Sequence, residues 1–146
     1  MLTGKNVVIT GALQGIGKAT LEYFAQNRAN VWACALKPSV EFEEFCKELE
    51  TKNSVWIKPI YFDLTNSDEI KAAVKSIQST KQPIDALINI AGMAKDAIFH
   101  MVSMDTMKLV FEVNYFSQIL FSQYITKLML RNPNPSSVVF VSSISA

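Results

Sequence analysis

The stretch "NVVITGALQGIG" (6–17) decides how the rest of the chain is interpreted. Its first five residues are rich in β-branched side chains and predict a short strand that is buried on both faces. The glycines at positions 11, 15 and 17 then form a turn that leads into a helical pattern over 15–27. Because glycine permits a tight turn and lets a ligand approach the backbone at a helix N-terminus, this stretch predicts a phosphate-binding loop.

Two kinds of nucleotide loop and a purely structural turn are the alternatives for these glycines. The loop of an ATPase has four residues between its outer glycines, followed by Lys and by a Ser or Thr that binds magnesium. Here five residues separate Gly11 from Gly17, and Ala19 stands where the hydroxyl is needed, so Lys18 is interpreted as an exposed helix residue. The common dinucleotide fingerprint spaces its glycines one and then two residues apart, whereas this loop spaces them three and then one apart. The requirement for close approach of a pyrophosphate is the same in both.

The composition is that of a soluble globular domain. The chain has 146 residues, of which 49% are hydrophobic and 18% charged, and its net charge is +1. This balance predicts one domain over 1–146 and argues against nucleic acid or an anionic membrane as a partner. No secretion signal and no apolar run of membrane-spanning length is evident, so a cytoplasmic protein is expected. Cys34 and Cys46 lack metal-ligand spacing, which leaves free thiols or a disulfide as alternatives and predicts no metal site.

Strand and helix patterns alternate along the whole chain, which predicts an α/β fold with a parallel, doubly wound sheet. Pro59 lies inside the third strand and therefore places that strand at an edge. The first helix is expected to bury Ile16, and Ser67 and Ser103 are expected to cap later helices. The predicted strands are 6–10, 30–36, 55–62, 85–92 and 137–143, and the predicted helices are 15–27, 40–50, 68–79 and 104–130.

Five short motifs, in the same order, resemble those of the short-chain dehydrogenase/reductase family. They are "TGALQGIG" (10–17), "FDLT" (62–65), "NIAG" (89–92), "VN" (113–114) and "VVFVSSISA" (138–146). The resemblance implies a Rossmann-type sheet with five strands in the order 3-2-1-4-5, the family's C-terminal strands being absent from the sequence. It also implies hydride transfer between a nicotinamide dinucleotide and a small carbonyl or alcohol substrate.

The resemblance assigns cofactor contacts to matching positions. The glycine loop is expected to hold the pyrophosphate, the end of the third strand the adenine amine, and "NIAG" to run beneath the nicotinamide ribose. An alternative for Asp63 is that it simply caps the next turn. The residues so assigned are Gly11, Gly15, Ile16 and Gly17 for the pyrophosphate, Asp63 and Leu64 for adenine, and Asn89, Ala91 and Gly92 for the ribose.

The end of the second strand bears on which dinucleotide is bound. An NAD site places an acidic residue there to bind the ribose 2′-hydroxyl. The candidate positions hold Ala35, Leu36 and Lys37, none of which is acidic, so NADP(H) is expected in preference to NAD(H). Gln14 stands where NADP-binding members of the family often carry Arg, and this departure weakens the preference.

The catalytic part of the resemblance is incomplete. Asn114, through its backbone carbonyl, is expected to hold a water of the proton relay, and Ser143 to hydrogen-bond the substrate oxygen. Alternatively, Asn114 is a helix residue that faces solvent. The Tyr-x-x-x-Lys pair that supplies the family's acid/base does not occur in the 146 residues.

Two hypotheses follow from the missing pair. In the first, the sequence is the N-terminal part of an active reductase or dehydrogenase and is inactive by itself. In the second, it is a complete, non-catalytic dinucleotide-binding or interaction module. Coding sequence beyond Ala146 distinguishes them. The apolar helix over 104–130 forms a subunit interface in this family, which implies a homo-oligomer.

Overall fold

The computed structural model of the protein describes residues 2–95 and 97–143. Five strands alternate with helices as the sequence predicts. The strands are β1 (Asn6–Thr10), β2 (Asn30–Ala35), β3 (Ile57–Tyr61), β4 (Ala86–Asn89) and β5 (Ser137–Phe140). The helices are α1 (Gly15–Gln26), α2 (Val40–Asn53), α3 (Ser67–Ser79), α4 (Met104–Phe111) and α5 (Ser117–Met129), with a π-helical segment (Glu112–Phe116) between the last two and a 3₁₀ turn at Phe99–Met101.

All five strands pair in parallel in the order β3-β2-β1-β4-β5, which confirms the predicted fold class. β1 lies at the centre and all of its residues are buried. Pro59 lies on the edge strand β3, as its missing N–H requires. The chain leaves β1 for β2 on one side and enters β4 on the other. The strand order therefore reverses beside β1, where open α/β sheets bind their ligands at the carboxyl ends of the strands.

Each face of the sheet has its own apolar core. Val7 and Ile9 of β1 point toward α1 and α2, while Val8 between them points toward α3 and α5. The fully buried Trp32 and Phe121 lie in the second core. This period-two alternation across a central strand is why the three consecutive apolar residues of "NVVIT", Val7, Val8 and Ile9, face both cores.

The expected burial of Ile16 is wrong. Its side chain is 66% exposed, and α1 instead packs through Gly17, Leu21 and Ala25. Ile16 lies in the first turn of α1, at the edge of the sheet and beyond the core. Its apolar side chain therefore faces the surface where the strands end.

The two cysteines lie in different cores. Cys34 of β2 lies in the α3/α5 core and Cys46 of α2 in the α1/α2 core, so the sheet separates them and both thiols are free. Burial raises the pKa of both thiols, and with the added effect of Glu50 and Glu43 the pKa of Cys46 reaches about 12. Both side chains therefore behave as small, inert core residues.

The predicted helix over 104–130 is present, but its middle is π-helical. Ser103 caps it as expected, because its Oγ accepts a hydrogen bond from the N–H of Thr106. The expectation that Ser67 caps α3 is wrong, since the preceding Asn66 accepts from two backbone N–H groups and Ser67 is the first helical residue. Among the described residues, no helix combines the length and apolar character needed to span a bilayer.

The last strand differs from the other four in its environment. β5 ends at Phe140, earlier than the predicted end at position 143, and all four of its residues are exposed. Val139 and Phe140 are 44% and 47% exposed although their neighbours in β4 are buried. The sheet thus has one buried apolar centre and one apolar edge in contact with solvent.

Candidate functional site

The three glycines of the β1–α1 loop are each required for a different reason. Gly11 has φ of +70°, and a Cβ built on it would lie 2.8 Å from the Cα of Ala91. Gly15 has φ of +52° but open space around it. A Cβ on the buried Gly17 would overlap the carbonyl oxygen of Gly11. The loop therefore packs directly against the start of α1 on one side and against the loop after β4 on the other.

The N-terminus of α1 has no internal cap. Gln14 has the extended backbone of an N-cap residue, yet its side chain accepts no hydrogen bond from the helix, and the first turn contains no acidic residue. By contrast, α2, α3 and α4 each begin at a side chain that accepts a backbone N–H. The exposed first turn of α1 thus offers backbone donors and the positive end of the helix dipole, an arrangement that fits a pyrophosphate.

The loop that follows β4 is tied to β1. The Thr10 hydroxyl, at the end of β1, accepts hydrogen bonds from the N–H groups of both Ile90 and Ala91, each at 3.1 Å. Asn89 is fully buried, and its amide donates to the Ser122 hydroxyl at 3.0 Å. These bonds end the strand at Asn89, which explains why β4 is shorter than the predicted 85–92.

Asn114 does not simply face solvent. Its Oδ1 accepts from the Met93 N–H and its Nδ2 donates to the Met93 carbonyl, both at 2.8 Å. A Cβ on Gly92 would lie 3.3 Å from the same Oδ1, so the side chain lies closely against that glycine. The π-helical segment therefore presents Asn114 to the loop after β4, next to the residues expected beneath the nicotinamide ribose.

Asp63 has the local role that the sequence left as an alternative. Its Oδ1 accepts from both the N–H and the hydroxyl of Thr65 at 2.8 Å, and its own N–H donates to Glu69. This is an Asx-type turn that leads into α3. The predicted contact with adenine remains a prediction for its second carboxylate oxygen and for Leu64, which is half-buried against the α3/α5 core.

The remaining predicted residues lie at the same edge of the sheet. Lys37 is exposed two residues beyond the end of β2. Ser143 is exposed three residues beyond the end of β5, and this extension is joined to β4 through the bond from the Val141 N–H to the Asn89 carbonyl. Residues 144–146 of the motif that contains Ser143 lie outside the described residues.

Sequence reasoning missed two residues that shape this site. Thr10 belongs to the quoted loop motif, and its position at the end of a buried strand is a usable signal for a hydroxyl that binds a neighbouring turn. Gln118, at the start of α5, donates to the carbonyl of Ala91. Nothing in the apolar pattern around position 118 points to that contact.

Comparisons with known proteins identify the family of this chain. The family model described as short chain dehydrogenase matches residues 5–146. The chain is 33% identical over 143 residues to 3-oxoacyl-[acyl-carrier-protein] reductase of Thermotoga maritima, covering 98% of this chain and 57% of that protein. It is 32% identical over 146 residues to L-rhamnose 1-dehydrogenase (NADP(+)) of Thermoplasma acidophilum, covering 98% and 56%.

Solved structures show the same fold. The crystal structure of L-sorbose reductase from Gluconobacter frateurii, complexed with NADPH and L-sorbose, superposes with a TM-score of 0.88 at 24% identity and is similar in fold alone. The match covers 98% of this chain and 54% of that one. The chain thus spans about half the length of the relatives and structures it matches. On the family match over 5–146 and the strand order, the chain belongs to the short chain dehydrogenase family.

Proposed function

We propose that this chain is the NADP(H)-binding part of an oxidoreductase that transfers a hydride between the nicotinamide and a small carbonyl or alcohol substrate. The observation that carries the proposal is the uncapped N-terminus of α1 beneath the glycine loop, at the edge where the strand order reverses. Residues 1–146 act as one dinucleotide-binding domain, and the protein works in the cytoplasm.

The glycine loop and the first turn of α1 hold the pyrophosphate. Gly15 and Ile16 are exposed there, so their backbone N–H groups are open to a ligand. The half-charge at the helix N-terminus attracts the phosphate oxygens, and this attraction is not offset by an acidic side chain in the first turn. Ile16 covers the ligand with its exposed apolar side chain.

The adenosine and the nicotinamide riboside of the dinucleotide bind on opposite sides of this loop. Asp63 accepts a hydrogen bond from the adenine amine through the carboxylate oxygen that Thr65 does not use, and the Leu64 backbone supports the same ring. Asn89, Ala91 and Gly92 form the floor beneath the nicotinamide ribose. Hydrogen bonds to the Thr10 hydroxyl and to the Asn114 side chain hold this segment in place.

Lys37 is responsible for the preference for NADP(H). Its ammonium attracts the 2′-phosphate, and the sequence Ala35, Leu36, Lys37 contains no carboxylate that would repel it. Gln14 adds a hydrogen-bonding group but no charge. The relative from Thermoplasma acidophilum, whose name specifies NADP(+), supports this choice.

When bound, the dinucleotide supplies or accepts the hydride. Asn114 holds the relay water at its main-chain carbonyl, and the Ser143 hydroxyl donates to the substrate oxygen. In the 146 residues, no tyrosine is followed by lysine four positions later. We therefore expect these residues by themselves to bind the dinucleotide without turnover.

The alternative to the enzyme is a binding or interaction module without catalysis. Coding sequence beyond Ala146 that contains Tyr-x-x-x-Lys supports the enzyme. A stable protein that binds the dinucleotide and ends at Ala146 supports the module.

A second copy of the chain covers the apolar surface of the long helix. Phe111, Tyr115 and Phe116 are 62%, 58% and 57% exposed, and burying aromatic side chains of this size favours association. We therefore propose a homo-oligomer that forms through α4, the π-helical segment and α5. Sedimentation of the wild type and of F111D tests this, because a charge at the interface should yield monomers.

The cofactor proposal is tested by titrating NADPH and NADH while following the fluorescence of Trp32 and Trp56. NADPH should bind about tenfold more tightly than NADH, and K37A should lower the NADPH affinity about tenfold with no change for NADH. K52A is the matched control, since Lys52 is an exposed lysine at the end of α2. Tighter binding of NADH, or an unchanged NADPH affinity in K37A, contradicts the preference. Failure of the wild type to bind either nucleotide contradicts the site.

A further inference from the structure

We propose that Gln118 is a positioning residue that holds the floor of the nicotinamide ribose at a fixed place relative to Asn114. This inference rests on the proposed function, because it concerns the same dinucleotide. It adds a residue that the family motifs in this sequence do not contain.

Gln118 lies at the junction between two parts of the site. It is the second residue of α5, directly after the π-helical segment, and it is 5% exposed. Its Nε2 donates to the carbonyl of Ala91 and lies 3.5 Å from the carbonyl of Val113. One amide group therefore contacts both the loop after β4 and the residue that precedes Asn114.

The other anchors of this loop hold different groups. Thr10 accepts from the N–H groups of Ile90 and Ala91, and Asn114 pairs with Met93. Gln118 is the anchor for the Ala91 carbonyl. Without it, the peptide between Ala91 and Gly92 is free to rotate between two fixed points, and the surface presented to the ribose changes.

The cost of burying an amide supports a role for it in hydrogen bonding. Gln118 precedes the apolar stretch of α5 that contains Phe121 and Ile125, where a leucine would add to the core. Burying an amide costs free energy for each of its polar atoms that is left without a hydrogen bond. The bond to Ala91 removes that cost for Nε2 and at the same time fixes the loop.

The test compares Q118L and Q118E with the wild type by calorimetric titration of NADP⁺. Q118L should raise the Kd about tenfold while the near-ultraviolet circular dichroism stays that of the wild type. Q123L is the matched control, because Gln123 is an exposed residue of the same helix, and it should leave the Kd unchanged.

Q118E distinguishes hydrogen bonding from packing, because only a lost hydrogen bond makes the Kd of the variant depend on pH. At pH 8 the introduced carboxylate has no proton to donate and faces the Ala91 carbonyl, so the Kd should rise at least tenfold. At pH 5.5 a larger fraction of the carboxyl is protonated, because burial raises its pKa, and the protonated form can donate to that carbonyl. The ratio of the variant's Kd to that of the wild type should then fall severalfold. Each value is compared with that of the wild type at the same pH, because Glu112 in the adjoining segment and the ligand phosphates are present in both measurements.

The outcomes separate this inference from the proposed function. If the wild type binds no dinucleotide, both fail. If the wild type binds and Q118L binds equally well, or if the Q118E ratio is the same at both pH values, the positioning role of Gln118 is overturned and the site stands. If Q118L does not fold, the pH dependence of Q118E decides alone.

Discussion

Helices α1 and α3 both begin at the carboxyl edge of the sheet, shortly after a parallel strand, yet their first turns differ. In α3, Asn66 Oδ1 accepts from the N–H groups of Asp68 and Glu69. The Glu69 carboxylate in turn accepts from Asp63 and from the Asn66 amide. In α1, Gln14 makes no such bond. One helix start is closed by its own side chains and the other is open.

The difference shows where the fold gives up stability for binding. A side-chain cap contributes about 1 kcal/mol, and acidic residues in the first turn add to it through the helix dipole. α3 has both and α1 has neither. A cap on α1 would occupy the donors that a pyrophosphate needs. The open start of α1 is therefore the local structure that the proposed function requires.

The largest effect on stability and on NADPH binding is expected for G17A, which changes the packing at the start of α1. The added Cβ overlaps the Gly11 carbonyl, so either the loop or α1 must move. We expect a loss of about 3 kcal/mol in the free energy of unfolding and no detectable binding of NADPH. Urea unfolding and fluorescence titration measure the two effects.

G15A is the matched control in the same loop. Nothing lies within 4 Å of its Cβ, and only its φ of +52° opposes the substitution. It should cost about 1 kcal/mol. Equal losses for G15A and G17A would show that backbone conformation, rather than close packing of the loop, makes glycine necessary.

The comparison also shows which features a sequence can predict. The buried centre of the sheet was predicted because β-branched runs and glycine turns act over a few residues. Ser67 was expected to cap α3, but Asn66 does so, since both side chains can cap and only backbone geometry distinguishes them. The predicted length of β4 was wrong because Thr10, some 80 residues away in sequence, ends the strand by binding its turn.

The exposure of residues at the edges of the sheet could not be predicted from the sequence, for a different reason. "NVVIT" and "SVVF" have similar composition, yet β1 is buried throughout and β5 is exposed throughout. The composition of a strand indicates whether its side chains favour burial, but the elements packed around the strand decide whether they are buried. Ile16 of α1 is likewise an apolar residue that no neighbouring element covers. Gln118 is the reverse, a polar residue in apolar surroundings whose partner lies in another element.

Q14D should convert the start of α1 into one that resembles α3. Gln14 already has φ of −150° and ψ of 172°, so an aspartate there can accept from the first-turn N–H groups without moving the backbone. We expect the free protein to gain about 1 kcal/mol of stability. NADPH affinity should fall at least tenfold, because the carboxylate occupies the donors and repels the phosphates. A variant that is more stable and binds equally well would show that the open donors do not hold the ligand.

N66A makes the opposite change and should have the smallest effect. It removes the acceptor for two N–H groups of α3, so the free energy of unfolding should fall by about 1 kcal/mol. Asp63 keeps its own bonds to Thr65, and dinucleotide affinity should change less than about twofold. Urea unfolding and the same fluorescence titration measure both quantities. A large loss of affinity would mean that the start of α3 also belongs to the binding site, and the contrast between a closed and an open helix start would then not separate stability from function.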